Sequence, residues 1–368
     1  MYKVRTYITL AAVIALASCS SNDAPEVVDT PDVPISLSCS LVMQTRAYAT
    51  TQATQIAHGR TISVWCDEHV DKTDATNHAT DIADYVKAWQ LTVDNSTTSG
   101  TLTSANTYIY PKTGNNVDFY ALHGNFNNAV TEGTATWATF TSSLTHTVRT
   151  NQTGVAATAP EDYADGYEQS DLLYAVKHNI AKTKTTQLLQ FKHLMSKIEV
   201  YLSCGTGITQ ADIQHANLKV EIINTKLTAN LTLSKAAPMS STITAAGTVN
   251  PTTLNAISTK QQTSNTEMVT VPDPVNPGST TSVNAYAFAE AIIVPQQFDT
   301  NYDGTGTGMS LIRLTMGDNS ERTTTPATYN FQPGKRYVFY VTVNQRGITI
   351  TGEITDWAAG TTSDVVAM

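Results

Sequence analysis

"KRYVFYVTVNQRGITITGEITDW", residues Lys335–Trp357, is the stretch that decides the fold. Tyr337–Val343 is an unbroken run of aromatic and β-branched residues, the types that suit a pleated, half-buried surface. Asn344–Gly347 then reads as a turn, with glycine supplying a backbone angle other residues avoid. Beyond it Ile348, Ile350 and Ile354 recur at even spacing, with Thr349, Thr351 and Glu353 between them. A period of two on both sides of a short polar turn predicts an antiparallel hairpin.

Working outward, the same signature recurs. Strands are predicted around Ile62–Cys66, Val86–Asp94, Asn106–Pro111, Val117–Gly124 and Asp171–Asn179. Leu188–Cys204 reads as one long, bulged strand, and "ANLKVEIINTKLTANLTLS" as two short ones. "TSVNAYAFAEAIIVPQQF" is a strand pair or a single long strand stopped by Pro295, and Met309–Met316 alternates. Helical periodicity is confined to Thr209–His215. Short strands separated by turn residues predict an all-β chain of antiparallel sandwiches rather than a parallel sheet. The 368 residues suffice for two domains of about 150 residues each. The polar "KTKTT" near Lys182–Thr186 is the expected boundary, giving domains at 47–185 and 186–368.

Composition narrows the function. Only 14% of residues are charged and the net charge is −9, which argues against nucleic acid as a partner. Lys3 and Arg5, the apolar Tyr7–Leu16 and the sequence Leu16-Ala-Ser-Cys19 read as a lipoprotein signal peptide, residues 1–19. Cys19 is the expected lipidation site. Lipid chains on it would anchor the exported chain to the outer membrane. Ser20–Asp32, polar and containing Pro25 and Pro31, is a tether. Next comes a strand with Val33, Ile35, Leu37, Cys39, Leu41 and Met43 on one face, followed at once by a lone basic residue, Arg46. Cys39, Cys66 and Cys204 fit no metal or redox spacing and read as small buried hydrophobes, with a disulfide between two of them left open.

Four stretches in order then carry a resemblance. They are "TRA" (Thr45–Ala47), "DLLYA" (Asp171–Ala175), "FKHLMSKIEVYL" (Phe191–Leu202) and the ending Pro333–Trp357. Together, behind a lipobox, they resemble the fimbrillins, type V pilus subunits of Gram-negative anaerobes. The resemblance implies two tandem transthyretin-like β-sandwich domains. It also implies a precursor trimmed at the surface by an arginine-specific protease. On that reading residues 20–46 are a propeptide, the strand of Val33–Met43 is a removable plug, and the cut falls between Arg46 and Ala47. Arg60, the competing arginine, lies right against a core strand. The emptied groove would take a strand from a like or related subunit by β-strand addition. The expected donor is the terminal segment Ala358–Met368, and Ile348, Ile350, Ile354, Val366 and Met368 are the groove-facing candidates. The alternative is a glycan- or protein-binding surface lipoprotein, or a tip adhesin, that does not polymerise; Trp89, Trp137, Tyr163 and Tyr167 would be its stacking residues.

Enzyme chemistry finds no foothold. The eight histidines form no H-E-x-x-H pattern, and no nucleophile elbow, phosphate loop or dinucleotide fingerprint occurs. No cofactor is expected. "CDEH" (Cys66–His69) holds ligand types, but neighbours on a strand face opposite ways. Asp299, Asn301 and Asp303, with Gly304, match the first half of a calcium loop. Ser310 stands where that loop needs a glutamate, so turn geometry is the simpler reading.

Overall fold

The computed structural model describes residues 31–41, 56–94, 100–126, 130–153, 166–247, 255–263, 266–272, 279–298, 309–323, 328–356 and 364–366. The first strands are β1 (Leu37–Leu41), β2 (Thr61–His69), β3 (Ile82–Asp94), β4 (Thr101–Thr103) and β5 (Asn116–His123). After helix α1 (Trp137–Thr141) come β6 (Thr145–Thr147), helix α2 (Gly166–Ser170), β7 (Leu173–Ile180) and β8 (Gln187–His193). Then follow β9 (Ser196–Cys204), helix α3 (Gln210–Ile213), β10 (Lys219–Ile223), β11 (Thr228–Thr232), β12 (Thr242–Ala246), β13 (Ala256–Ser258) and β14 (Lys260–Gln262). The hairpin β15 (Glu267–Pro272) and β16 (Thr280–Ala285) precedes β17 (Ala287–Ile293), β18 (Gln297–Phe298), β19 (Ile312–Thr315), β20 (Glu321–Thr323) and β21 (Tyr329–Asn330). The last strands are β22 (Lys335–Asn344), β23 (Gly347–Asp356) and β24 (Asp364–Val366).

The protein is all-β, as the alternating patterns predict. Seven strands close into a ring, β1-β4-β3-β2-β5-β7-β8. Its interior is filled by Leu37, Ile62, Val64, Leu91, Phe119, Leu189 and Phe191, all buried. In the second half a six-stranded sheet, β14-β17-β9-β22-β23-β24, faces a four-stranded one, β13-β10-β19-β20. Ile198, Val200 and Phe339 from the first share one buried core with Val220, Ile222 and Leu314 from the second, as in a β-sandwich. That core continues to Trp65, Tyr120, Trp137 and Tyr174, on the outer side of the ring. Val33–Met368 is accordingly one compact unit. Among the described strands the pairings are antiparallel except that β1 runs parallel to β8 and β9 runs parallel to β22.

The predicted hairpin over Lys335–Trp357 is present, with ten register pairs from Lys335↔Asp356 to Asn344↔Gly347. Its glycine does not act as expected: Gly347 has no left-handed φ and starts β23 as the partner of Asn344. The predicted single strand over Leu188–Cys204 is two strands in different sheets. The chain turns a corner at Leu194 and Met195, where Leu194 N–H donates to Leu172 O at 2.8 Å and Met195 O accepts from Gly334 N–H at 2.9 Å. The polar stretch near Lys182–Thr186 is therefore a connection inside the ring, between β7 and β8. Asn106–Pro111 is not a regular strand; its described contact is the bridge Ile109↔Pro34 with flanking hydrogen bonds. The short helix near Thr209 forms as α3, started by a capping box in which Thr209 and Asp212 satisfy each other's backbone.

Candidate functional site

β1 closes the ring, between β4 and β8. The apolar face of β1 and of the residues leading into it is buried as far as Cys39: Val33 7%, Ile35 5%, Leu37 1% and Cys39 2% exposed. On one side β1 pairs in parallel with β8 over five positions, Leu37↔Gln187 to Leu41↔Phe191. On the other side it meets β4 at Ser38↔Thr101. There Ile35 N–H donates to Tyr108 O at 2.8 Å, Cys39 N–H to Gly100 O at 2.9 Å, and Tyr110 N–H to Val33 O at 2.9 Å. Burial pushes the Cys39 thiol up to about 11, so it packs as a neutral side chain. Cys39, Cys66 and Cys204 are free cysteines. Lifting β1 out would bare an apolar trough walled by two unpaired backbone edges, a template for another strand. Leu41 is half-buried at the end of the strand. Met43, Arg46 and Ala47 lie outside the described residues, as do Cys19, the loop of Asp299, Asn301 and Asp303, and Met368.

Arg60 is held tightly. Its Nε and Nη2 donate to the two carboxylate oxygens of Glu168, each at 2.6 Å. It is 6% exposed, so a protease cannot reach it in the folded chain.

Among the donor candidates, Ile348 and Ile350 sit in β23 opposite Val343 and Val341, and both pack against the main core. Ile354 pairs with Tyr337. Val366 lies in β24, which folds back on β23 with Gly352↔Val366 and Ile354↔Asp364. The proposed sugar-stacking aromatics are not a platform: Trp89 is 4% and Trp137 7% exposed. Tyr167 is partly buried against the core, and Tyr163 lies outside the described residues.

The two halves of the central sequence signature meet in space. Asp171 carboxylate oxygens lie 3.0 and 2.8 Å from His193 Nδ1. Leu173 stands opposite His193 in the ring. Past the corner, Lys197 Nζ lies 2.9 Å from Glu199 and 2.7 Å from Glu290, all three buried on the outer face of the six-stranded sheet. Burial opposes the Lys197 charge, but the Glu199 and Glu290 carboxylates outweigh it and hold its pKa above the ordinary value. This signature is a structural seam: it turns the chain from one sheet to the next.

A fimbrillin-like family model matches residues 45–357. The chain belongs to the fimbrillin-like family. This fimbrillin-like chain has the fold of two putative cell adhesion proteins of known structure. One, from Bacteroides ovatus, is 17% identical, with a TM-score of 0.55, covering 90% of this chain and all (100%) of that one. The other, from Bacteroides uniformis, is 17% identical, with a TM-score of 0.53, covering 88% of this chain and 98% of that one. The tip fimbrial protein Mfa3 from Porphyromonas gingivalis, truncated at its C-terminus, aligns at 10% identity and a TM-score of 0.42 over 89% of this chain and 100% of that one. No curated protein matches the chain. Membership gives this fimbrillin-like protein a fimbrial or adhesion-related role at the cell surface, in association with other fimbrial subunits.

The sequence reading missed one cluster, His69, His78, Asp81 and Asp118. The opposite-facing argument against "CDEH" applies only within the strand. Cys66 enters the ring core, while Glu68 accepts from Thr113 Oγ1 at 2.7 Å. The partners of His69 come from a loop and from the next strand, which no local spacing reveals.

Proposed function

We propose that this chain is a structural subunit of surface fimbriae, made as a lipoprotein anchored through Cys19. In this reading β1 is a temporary strand. Cleavage between Arg46 and Ala47 by an arginine-specific surface protease frees it, and a strand from a neighbouring subunit takes its place. The observation that carries the reading is the seat of β1. It presents an alternating buried row, Val33, Ile35, Leu37 and Cys39, between two backbone edges, yet precedes the family match that begins at residue 45. The burial of Arg60 against Glu168 favours Arg46 as the cut. The likeness of β1 beside β8 to β9 beside β22, each a parallel pair, supports two tandem transthyretin-like halves, joined at the Leu194–Met195 corner.

The donor is the segment Ala358–Met368. β23 is a poor donor because its ten pairs with β22 hold the hairpin together. β24 is an edge strand of three residues and can leave without dismantling the sheet. Deleting Ala358–Met368 is expected to leave a folded, cleavable subunit that forms no fibres; fibres of ordinary length from it would move the donor elsewhere. Cys19→Ser is expected to abolish palmitate incorporation and retention at the outer membrane, and normal retention without palmitate would remove the anchor from the account.

A further inference from the structure

A second cluster is built on strands other than β1, β4 and β8. His69 ends β2, His78 and Asp81 lie in the loop before β3, Asp118 is on β5 and His178 on β7. His69 Nδ1 is 3.2 Å from Asp118 Oδ2 and 3.3 Å from Asp81 Oδ1. His78 Nδ1 is 2.8 Å from Asp81 Oδ2 and 3.0 Å from Asp118 Oδ2. One ligand atom from each of the four residues lies within 4.8 Å of all the others. The side chains of His69 and Asp118 are 0% exposed and that of Asp81 7%, while His78 at 29% opens the cluster to solvent.

Hydrogen-bond chemistry makes this arrangement more than a group of acids. His69 Nε2 faces the Asp74 carbonyl oxygen at 3.1 Å. A carbonyl only accepts, so Nε2 carries the proton. Nδ1 of the neutral ring is then a lone pair, aimed at two carboxylates that also bring only lone pairs. His178 repeats the pattern. Its Nε2 faces Ala236 O at 3.3 Å, and its buried Nδ1, 3.3 Å from Asp118 Oδ2, lacks a well-directed hydrogen bond. Three Nδ1 atoms thus converge on one carboxylate oxygen. His78 Nδ1 can donate to Asp81 from a neutral ring, but a proton on Nδ1 of His69 or His178, whose Nε2 is already protonated, makes that ring cationic, and the His78 and His178 centroids are 4.6 Å apart. A divalent cation supplies the positive charge at one point and uses the lone pairs as they stand. The carbonyls on Nε2 then orient the imidazoles, as outer contacts do at metal-ligating histidines.

We propose that His69, His78, Asp81 and Asp118 form a binding site for one divalent transition-metal ion, with Zn²⁺ the best fit. Two imidazole nitrogens and two carboxylate oxygens are a zinc donor set, and the nitrogen pair disfavours calcium and magnesium. Four atoms at zinc bond lengths stand ~3.3 Å apart around a tetrahedron; here one ligand atom from each residue lies within 4.8 Å of the others, and the nearest nitrogen-to-oxygen separations, with both Asp81 oxygens taking part, are 2.8 to 3.3 Å. Asp118 is held in place by Asn179 N–H, which donates to Oδ1 at 2.7 Å. His178 is a positioning residue on Asp118 Oδ2. The ion staples the loop between β2 and β3 to β5, joining segments that have no strand pairing in that loop.

Tag-free protein, stripped with a chelator and dialysed at neutral pH, is titrated calorimetrically with ZnCl₂ and, separately, with CoCl₂ followed by absorption. The expected result is one equivalent of zinc and cobalt d–d bands of a tetrahedral site. His78→Ala, at a part-exposed loop position, is expected to lower zinc affinity by at least about tenfold and abolish the bands, with circular dichroism unchanged. Asp81→Asn provides the same test if His78→Ala misfolds. His178→Ala is expected to weaken zinc about tenfold while keeping the bands. Absence of zinc binding by the wild type overturns the proposal. So does stoichiometric binding that survives His78→Ala and Asp81→Asn, or that disappears only in Cys204→Ser.

Discussion

Gln187 N–H donates to the Ser36 carbonyl at 2.8 Å, and the next residue, Leu37, stands opposite Gln187 in parallel register. The first described strand of the chain is thus docked beside the last strand of its own ring. Its seat beside β8 depends on no short connection to that strand, so a cut in the chain that follows β1 leaves the pairings among the other strands of the ring intact.

Leu37→Ala gives the first expectation. Leu37 is 1% exposed in the ring core, and such a truncation costs roughly 2–5 kcal/mol. The uncleaved protein is expected to lose that much in urea unfolding. The protein cleaved after Arg46 and freed of its N-terminal peptide is expected to be insensitive to the same substitution. Equal losses in both forms would mean that β1 stays in place after cleavage.

Limited digestion of the folded precursor with an arginine-specific protease is expected to yield a product starting at Ala47. The Arg60 guanidinium is clamped by two 2.6 Å hydrogen bonds to Glu168, so a product starting at Thr61 should be missing. Finding it as the main species would contradict the assignment of the cut. Arg46→Ala is expected to leave the chain intact under the same conditions.

The seam between the halves offers a stability test. The Gln152 side chain donates to Ile292 O and accepts from Ile292 N–H, both at 2.8 Å, and so takes the place of a neighbouring strand at that position. Gln152→Ala leaves both buried groups unpaired, and each costs about 1–3 kcal/mol. A fall of roughly 2–6 kcal/mol in unfolding free energy is expected; a change within error would show that water repairs the edge.

pH dependence follows from His123, whose Nδ1 lies 2.9 Å from Thr61 O. Burial holds its pKa below the ordinary 6.5. The unfolded ring takes up a proton as pH falls through about 6.5 while the folded ring does not, so stability falls below that pH. The wild type is expected to lose up to ~2 kcal/mol more between pH 7 and pH 5 than His123→Gln does. Parallel pH profiles for the two proteins would contradict the assignment.

Much of the fold was legible because alternation is local. Tyr337–Val343 and Ile348–Ile354 show their partnership on the page, and Thr209 with Asp212 shows a helix start. What alternation does not carry is a change of sheet. Phe191 and Ile198 are both fully buried, but one faces the ring core and the other the sandwich core. The corner between them, Leu194 and Met195, is just as apolar, so the break was invisible. Helices α1 and α2, with five residues each, are too short to show a helical period. The His69–Asp118 cluster was unreadable for a different reason: its members come from two strands and a loop, and only the pairing of β2 with β5 brings them together.

The central claim is that β1 is removed before the subunit joins a fibre. Peptide mass spectrometry of fibres sheared from the cell surface tests it most directly. The account predicts subunits whose N-terminal residue is Ala47 and no peptide spanning Val33–Leu41. Fibres in which most subunits retain Val33–Leu41, joined to the rest of the chain through an intact Arg46–Ala47 bond, would contradict it.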